Sequence, residues 1–279
     1  MKILVTGATG KIGNRSVPRL LQHDHDVRIL VRDENKVERL KNLGAEVVAG
    51  DLLRRTTLPN ALQNVDTVIH LAAFFRGATD EQAKAVNFDG TLALAHAALD
   101  AGAQRFVFAS TNLVYGQGPN RPALEDDPAQ PTLAYPATKI AAEQALRELA
   151  EESGLDLCIL RFAFVYGETD PHIPEFLPRL ANWHSAKRLH LVHHADVAQA
   201  LLRAISAKGN GGMYNVADDA PISISELRSF YKHPEPPNAD GLPLLNPWEG
   251  IANTLKIRNE LGFRPLYPSF YVAWEAGTL

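Results

Sequence analysis

The sequence has little cysteine and no long hydrophobic run. Its single cysteine, Cys158, cannot form a disulfide within the chain, and the apolar stretch 155–160 around it favours a buried structural thiol over a nucleophile. The apolar segment 68–75 is too short to cross a bilayer, and nothing at the N-terminus resembles a signal peptide. We therefore expect a cytoplasmic protein with no membrane partner.

An excess of basic charge is also lacking. The formal net charge is −4, and residues of both signs are interspersed along the chain. Such a chain presents no broad electropositive surface, which makes nucleic acid a poor candidate partner and favours a small molecule. The 279 residues are 46% hydrophobic, which is enough for a large core and argues against disorder.

The sequence contains a glycine-rich turn near its N-terminus. The apolar run 2–5 stops at Thr6-Gly7-Ala8-Thr9-Gly10-Lys11-Ile12-Gly13, after which apolar residues recur at helical spacing. In a strand–turn–helix unit, Gly7 would allow the tight turn, Gly10 would admit a pyrophosphate and Gly13 would let the helix pack closely. The spacing departs from the usual G-x-G-x-x-G, so a plain loop stays an alternative on these residues alone.

Strands and helices are predicted to alternate after this turn. Apolar runs at 27–31, 45–49, 67–71, 105–109 and 155–160 are separated by segments with helical spacing. This alternation predicts a parallel sheet with right-handed crossovers and helices on both faces. A ligand would then lie over the carboxyl ends of the strands, where Asp51 and the small residues 71–73 follow strands.

The residue after the second predicted strand bears on cofactor choice. An acid there accepts from the 2′-hydroxyl of NAD, whereas an arginine suits the 2′-phosphate of NADP. Arg32 occupies this place, with Asp33 behind it and Lys36 one turn further on. We therefore predict NADP, with NAD as the alternative if Asp33 faces the ribose. A solvated charge cluster is the remaining interpretation.

Tyr135 and Lys139 carry the strongest chemical argument in the sequence. They lie four residues apart at the start of an alanine-rich helix, so they share one face. A phenol has a pKa near 10 and needs help to exchange a proton with a carbonyl or alcohol at neutral pH. We expect Lys139 to lower that pKa and Thr111 to hold the substrate oxygen.

Histidines suggest no metal site. His70 has no partner at ligand spacing, and His190, His193 and His194 stand at a strand-to-helix junction, which predicts packing and capping. No metal is therefore expected. A long loop at 116–132 and a proline-rich loop at 232–247 are predicted to border the substrate cleft.

Taken together, the chain resembles an extended short-chain dehydrogenase/reductase, the family that contains nucleotide-sugar epimerases, dehydratases and dihydroflavonol-type ketoreductases. The resemblance covers most of the chain. It rests on the segments 6–13, 70–73, 87–91, 110–116, 135–139, 160–167, 192–197 and 214–217.

The resemblance implies a Rossmann-type doubly wound α/β sheet with a small C-terminal substrate domain. Residues 1–167 would bind the dinucleotide, completed by about 190–217, and about 168–189 with 218–279 would form the substrate domain. Relatives often dimerise through helices that here would span about 81–100 and 135–152. A homodimer is therefore one possible oligomeric state.

The resemblance also assigns roles to residues. Tyr135 would be the acid/base, Lys139 would also hold the nicotinamide ribose, and Thr111 would be the hydroxyl partner. The residues expected to contact the cofactor are Gly7, Thr9, Gly10, Lys11, Ile12, Gly13, Arg32, Asp51, Leu52, Leu71, Ala72, Ala73, Asn87, Tyr135 and Lys139.

Three functions are compatible with these residues. The first is reduction of a carbonyl, or oxidation of an alcohol, in a small organic substrate, with Phe74, Phe75, Ser110, Asn112 and Phe164 as candidate substrate contacts. The second is epimerisation or dehydration of a nucleotide sugar, with Arg179 or Arg188 on the diphosphate. Sugar-nucleotide relatives typically carry an asparagine at the position of Phe164, which favours the first. The third is a non-catalytic regulator, but such relatives generally lack the Tyr/Lys pair.

Overall fold

The computed structural model describes residues 1–75, 77, 79–207 and 211–279. Its strands are β1 (Lys2–Thr6), β2 (Asp26–Val31), β3 (Glu46–Ala49), β4 (Thr67–His70), β5 (Arg105–Thr111), β6 (Asp156–Phe162), β7 (Phe164–Tyr166), β8 (Arg188–Leu189), β9 (Leu191–His193), β10 (Gly212–Val216) and β11 (Ile222–Ser223). Its helices are α1 (Gly13–Gln22), α2 (Glu38–Asn42), α3 (Leu58–Ala61), α4 (Asp80–Lys84), α5 (Gly90–Asp100), α6 (Ala134–Ser153), α7 (His172–Phe176), α8 (His194–Ser206), α9 (Ile224–Phe230), α10 (Leu255–Leu261) and α11 (Phe270–Glu275).

Seven parallel strands form the central sheet in the order β10-β6-β5-β4-β1-β2-β3. The predicted doubly wound fold is confirmed. Strand order reverses beside β1, and in open parallel sheets such a switch point opens a crevice at the carboxyl edge. The predicted site residues after β1, β4 and β5 therefore face one crevice.

Alternate strand residues feed two cores, one on each face of the sheet. Val5 and Val107 pack with α1 and α8 on one face, whereas Leu4 and Phe106 pack with α3, α5 and α6 on the other. Period-two alternation of apolar residues on both faces is typical of a sheet covered by helices. Cys158 is fully buried in the first of these cores.

A third apolar cluster lies beyond the central sheet. It joins Ile173 and Leu180 to Ile222, Leu227 and Phe270, which come from the two segments predicted to form the substrate domain. The domain boundaries stay a prediction. Residues of α10 lie within the predicted substrate domain, which includes 218–279, but they pack into the α1–α8 core of the central sheet.

The predicted helix over 80–101 has an interruption. A one-turn π segment, Ala85–Asp89, connects α4 to α5. Such segments are uncommon and occur frequently at functional sites. No helix among the described residues has the length and apolarity needed to span a membrane.

Candidate active site

The turn between β1 and α1 needs its glycines. Gly7 has φ +74°, and a Cβ there would lie 2.6 Å from the amide nitrogen of Ala72. A Cβ on Gly13 would collide with the Gly7 carbonyl, whereas one on Gly10 would have that oxygen, at 3.2 Å, as its nearest neighbour. Gly7 and Gly13 thus allow the turn to close, and a Cβ on Gly10 would have no other neighbour within 4 Å. This cradle fits the pyrophosphate of a dinucleotide.

A cavity of about 710 Å³ begins at this cradle and runs over the carboxyl ends of β4, β5 and β6. It brings together many of the residues predicted from sequence. These are Gly7, Gly10, Lys11, Ile12, Gly13, Leu71, Ala73, Phe75, Ser110, Thr111, Asn112, Tyr135, Lys139 and Phe164.

Seven other predicted residues lie outside the described lining of this cavity: Thr9, Arg32, Asp51, Leu52, Ala72, Phe74 and Asn87. Thr9 and Arg32 are exposed. Asp51 accepts from the amide of Leu53, which shapes the turn after β3, and Leu52 is buried in the α3–α5–α6 core.

Asn87 supports the cavity wall through hydrogen bonds to the backbone of Phe74. Its buried side chain accepts from the Phe74 amide at 2.7 Å and donates to the Phe74 carbonyl at 2.9 Å and to Thr138 Oγ1 at 3.0 Å. The segment after β4 is thereby fixed to α6. Phe74 is held through its backbone, whereas Phe75 contacts the edge of the Tyr135 ring, with centroids 4.7 Å apart.

The predicted catalytic residues occupy two elements. Thr111 ends β5, and Tyr135 and Lys139 lie on the first turns of α6. Lys139 is 1% exposed, with Nζ 4.1 Å from the centroid of the Phe108 ring. Burial lowers the pKa of Lys139 to about 7, although the charge of Glu143 opposes the shift. An amine with this pKa can lose or take up a proton near neutral pH.

The phenol behaves differently from the sequence-based expectation. Burial raises the pKa of Tyr135 above its usual value near 10. Desolvation of the phenol causes this shift, and the neighbouring Lys139 does not reverse it. Tyr135 is therefore a protonated phenol at neutral pH in this structure, which is the state needed to donate a proton.

A buried polar network supports these elements. The Ser110 hydroxyl donates to Glu143, and Arg161 Nη2 donates to Glu143 Oε2 at 2.6 Å. Arg161 also donates to the hydroxyl of Tyr115, which donates to Asn215 on β10. The network ties β5, β6 and β10 to α6, and it directs Ser110, a predicted substrate contact, to Glu143.

His70 serves packing and His193 serves capping. His70 Nδ1 lies 2.6 Å from Thr6 Oγ1 and its Nε2 lies 2.8 Å from Thr91 Oγ1. Burial lowers the pKa of His70 to about 3, and the charge of Lys139 adds to the shift. His193 caps α8 by accepting from the Ala195 amide. Within the described ranges, no cluster of three or more His, Cys, Asp or Glu could hold a metal ion.

A set of ion pairs and hydrogen bonds, which sequence reasoning missed, joins the glycine-rich turn to the segment after β7. Lys11 Nζ lies 2.9 Å from Asp170 Oδ1 and 3.2 Å from Glu175 Oε2, and Asp170 Oδ2 lies 2.8 Å from His194 Nε2. Arg15 donates to the Glu168 carbonyl. We call this set the clasp. Lys11 and Arg15 lie 153 or more residues before their partners in the segment 168–175, so no local sequence pattern indicates these contacts. Glu168 and Thr169, in that segment, are non-glycine residues with positive φ.

The far end of the cavity contains cations that already have partners. Lys187 Nζ lies 2.9 Å from Glu249 and 4.1 Å from the centroid of a Trp183 ring, and the Arg188 guanidinium lies over Trp248. Asn112 Nδ2 donates to the Gly250 carbonyl, which fixes this segment beside β5. The amide of this predicted substrate contact thus serves to hold the cavity wall.

The parallel sheet, the glycine cradle and the Thr/Tyr/Lys set define a dinucleotide-binding protein of the short-chain dehydrogenase/reductase type. The model of the NAD dependent epimerase/dehydratase family matches residues 3–217. The chain belongs to this family, as the sequence resemblance predicted.

Curated relatives include enzymes of several kinds. A ketoreductase from Stigmatella aurantiaca, named for 4-hydroxy-2-methyl-3-oxo-4-farnesyl-3,4-dihydroquinoline-1-oxide, is 34% identical over 82% of this chain and 71% of its own length. A UDP-glucose 4-epimerase from Corynebacterium glutamicum is 27% identical over 95% of this chain and 91% of its own length. Sequence similarity alone therefore leaves the reaction undecided between these classes.

Solved structures share the whole fold. A short-chain dehydrogenase/reductase superfamily protein from Agrobacterium tumefaciens, with bound NAD, is 26% identical, covers 99% of this chain and 95% of its own, and has a TM-score of 0.80. MoeE5, in complex with UDP-glucuronic acid and NAD, is 26% identical over 96% of this chain and 94% of its own, with a TM-score of 0.78.

Proposed function

We propose that the protein is an NAD(P)-dependent oxidoreductase that reduces the carbonyl, or oxidises the alcohol, of a small organic substrate. The observation that carries this proposal is the shared cavity: Thr111, Tyr135 and Lys139 line the same space as the glycine cradle. The 34% identical ketoreductase supports it. Retention of all three residues disfavours a non-catalytic regulator.

The side chains have separate roles in this reaction. A bound nicotinamide would supply or accept the hydride. Tyr135 would donate its phenolic proton to the carbonyl oxygen during reduction, and burial keeps that proton in place at neutral pH. The Thr111 hydroxyl would hold the same oxygen. Lys139, with a pKa of about 7, would hold the ribose and help to return a proton to the phenol.

The wall facing these residues favours an apolar substrate over a nucleotide sugar. Phe75, Phe164 and Phe176 line the cavity. The two cations at its far end, Lys187 and Arg188, are already bound to tryptophan rings and, for Lys187, to Glu249. Binding a diphosphate there would require those contacts to be given up or shared.

Epimerisation or dehydration of a nucleotide sugar is the second candidate. Arg179, an exposed cation, lines the same cavity, and a UDP-glucose 4-epimerase is among the relatives. Both reactions begin with hydride transfer, so the catalytic residues do not separate them.

We also propose NADP(H) as the preferred cofactor. Arg32 is exposed directly after β2, while the Asp33 carboxylate accepts from the Asn35 amide at 3.1 Å and caps the following turn. This capping bond competes with any contact from Asp33 to a ribose hydroxyl, whereas the arginine is placed to meet a 2′-phosphate.

Cofactor stoichiometry tests the reaction. The protein is incubated with NADPH or NADH and a panel of ketones and aldehydes while reduced-nicotinamide absorbance is followed, and with UDP- and dTDP-sugars while products are separated by chromatography. We expect one cofactor oxidised per carbonyl reduced. Product from a nucleotide sugar with no net consumption of cofactor would overturn the proposal in favour of the second candidate.

A further inference from the structure

Six aromatic rings form a continuous row along one wall of the cavity. Each ring contacts the next, with centroids 4.0 to 6.1 Å apart, and all six side chains line the cavity. We call this set the aromatic row. In order of contact, it consists of Tyr135, Phe75, His172, Phe164, Phe176 and Trp183.

The row joins elements that are distant in sequence. Phe75 follows β4, Phe164 begins β7, and His172 and Phe176 lie at the two ends of α7. The row therefore starts at the proposed proton donor and continues into the segment after β6. A substrate whose carbonyl lies at Tyr135 would place an attached group along the row.

The ring planes select the shape of such a group. Along the row, successive planes are inclined by 73°, 88°, 15°, 43° and 83°. A rigid polycyclic molecule stacks well only on coplanar rings, and a single stacked pair, Phe164 with His172, is available. A flexible hydrocarbon chain can instead follow a surface that alternates between ring faces and ring edges.

The far end of the row limits that chain. Lys187 lies over Trp183 and pairs with Glu249, so the apolar surface gives way to charged groups at this point. The side chains that form the row are hydrocarbon rings apart from the Tyr135 hydroxyl, the Trp183 indole nitrogen and the His172 ring, whose Nδ1 lies 3.1 Å from the Val165 carbonyl. A chain that follows these rings would be of finite length and uncharged.

We propose that the aromatic row is the subsite for a flexible, uncharged hydrocarbon chain, alkyl or isoprenoid, attached to the substrate carbonyl. This inference rests on the proposed carbonyl reduction and specifies its substrate class. In the reaction, a bound reduced nicotinamide would supply a hydride to the carbonyl carbon and Tyr135 would donate its proton to the oxygen, so the chain would take no part in bond making. Its burial against the rings raises kcat/KM.

A homologous series of methyl ketones tests the subsite, with NADPH as reductant. For the unaltered protein, kcat/KM should rise roughly fourfold per added methylene until the chain reaches the end of the row and then level off. Phe176→Ala should reduce the ratio of kcat/KM between the longest and shortest ketones by about tenfold or more, the scale of burying one phenyl group. Phe176→Leu, which keeps an apolar side chain, should lie between the two.

A matched control and a second readout separate the possible results. Trp274→Ala removes an aromatic residue that is 45% exposed on α11, outside the described lining, and should leave the series unchanged. Calorimetric binding of the corresponding alcohols, in the presence of oxidised cofactor, should show the same dependence on chain length without turnover.

Two results would contradict the proposals, and they are distinguishable. Turnover of short ketones with no dependence on chain length, in both rate and alcohol binding, would overturn the aromatic row as a chain subsite and leave the proposed function standing. Chain-dependent alcohol binding with no turnover of any carbonyl would support the subsite and count against the proposed function.

Discussion

Lys11 Nζ lies 2.9 Å from Asp170 Oδ1, so a side chain of the glycine-rich turn is bonded to the segment that follows β7. Burial would raise the pKa of Asp170, but hydrogen bonds from His194 and Lys11 outweigh it and hold that pKa below the usual range. The carboxylate is therefore ionised at neutral pH. His194 is mainly neutral there because burial lowers its pKa, so Lys11 is the charge partner.

The clasp is expected to control cofactor exchange. Lys11 and Asp170 line the cavity beside the glycine cradle, so a dinucleotide bound there would lie next to their ion pair. Asp170→Asn keeps the shape but removes the charge. We expect NADPH to dissociate about tenfold faster from this variant, a smaller effect than for breaking a fully buried charge pair, because Lys11 is partly exposed.

Stopped-flow displacement of bound NADPH, followed by its fluorescence, measures this rate. Asp127→Asn is a matched control, since Asp127 forms an exposed ion pair with Arg121 outside the described cavity lining. Added salt should accelerate release from the unaltered protein more than from the Asp170 variant. Equal release rates in all three proteins would argue against the clasp as a barrier to release.

Tyr135→Phe tests the proton donor. The ring that contacts Phe75 is retained and only the hydroxyl is lost, so fold and cofactor binding should persist. Turnover should fall by about two to four orders of magnitude, the usual effect of removing a general acid or base. Steady-state rates with the best ketone measure the loss, and NADPH fluorescence titration serves as the binding control. Near-normal turnover would show that another group delivers the proton.

Arg32→Ala tests cofactor preference. A charge-assisted contact to the 2′-phosphate should be lost, which weakens NADPH binding by about ten- to a hundredfold and leaves NADH binding unchanged. Fluorescence titration of both cofactors gives the two dissociation constants. Arg203→Ala, an exposed arginine on α8, is the matched control. If the unaltered protein binds NADH and NADPH equally, Arg32 belongs to a solvated charge cluster.

The sequence predicted features that depend on nearby residues. Strand length, glycine spacing and the i, i+4 pair of Tyr135 and Lys139 are local signals, and the sheet and the shared cavity follow from them. The sign of the Tyr135 pKa shift was predicted wrongly because the shift comes from burial of the phenol itself, and a sequence does not specify burial. The Lys11–Asp170 pair and the aromatic row join distant segments, and no local pattern encodes them.

His70 should make stability depend on pH. Its pKa is about 3 in the folded chain, against 6.5 as the ordinary value. Between these values the unfolded state binds more protons, so the free energy of unfolding falls as pH decreases, by about 1.4 kcal/mol per pH unit for one proton. His70→Gln removes this titration. Denaturant unfolding at pH 6, 5 and 4 should give a shallower pH dependence for the variant, and identical slopes would contradict the low pKa.

Glu143 and Arg161 should be strongly coupled in stability. Both are at most 3% exposed, and Glu143 accepts from Arg161 Nε as well as Nη2. Glu143→Gln leaves the Arg161 guanidinium buried without a counter-charge, which should lower the free energy of unfolding by about 3–5 kcal/mol. Arg161→Met leaves the carboxylate without the guanidinium. Each single change leaves the other charge buried without its partner. The double variant should therefore lose much less stability than the two single losses combined. Chemical denaturation of all four proteins completes the cycle. Strict additivity would mean that the ion pair does not couple β6 to α6.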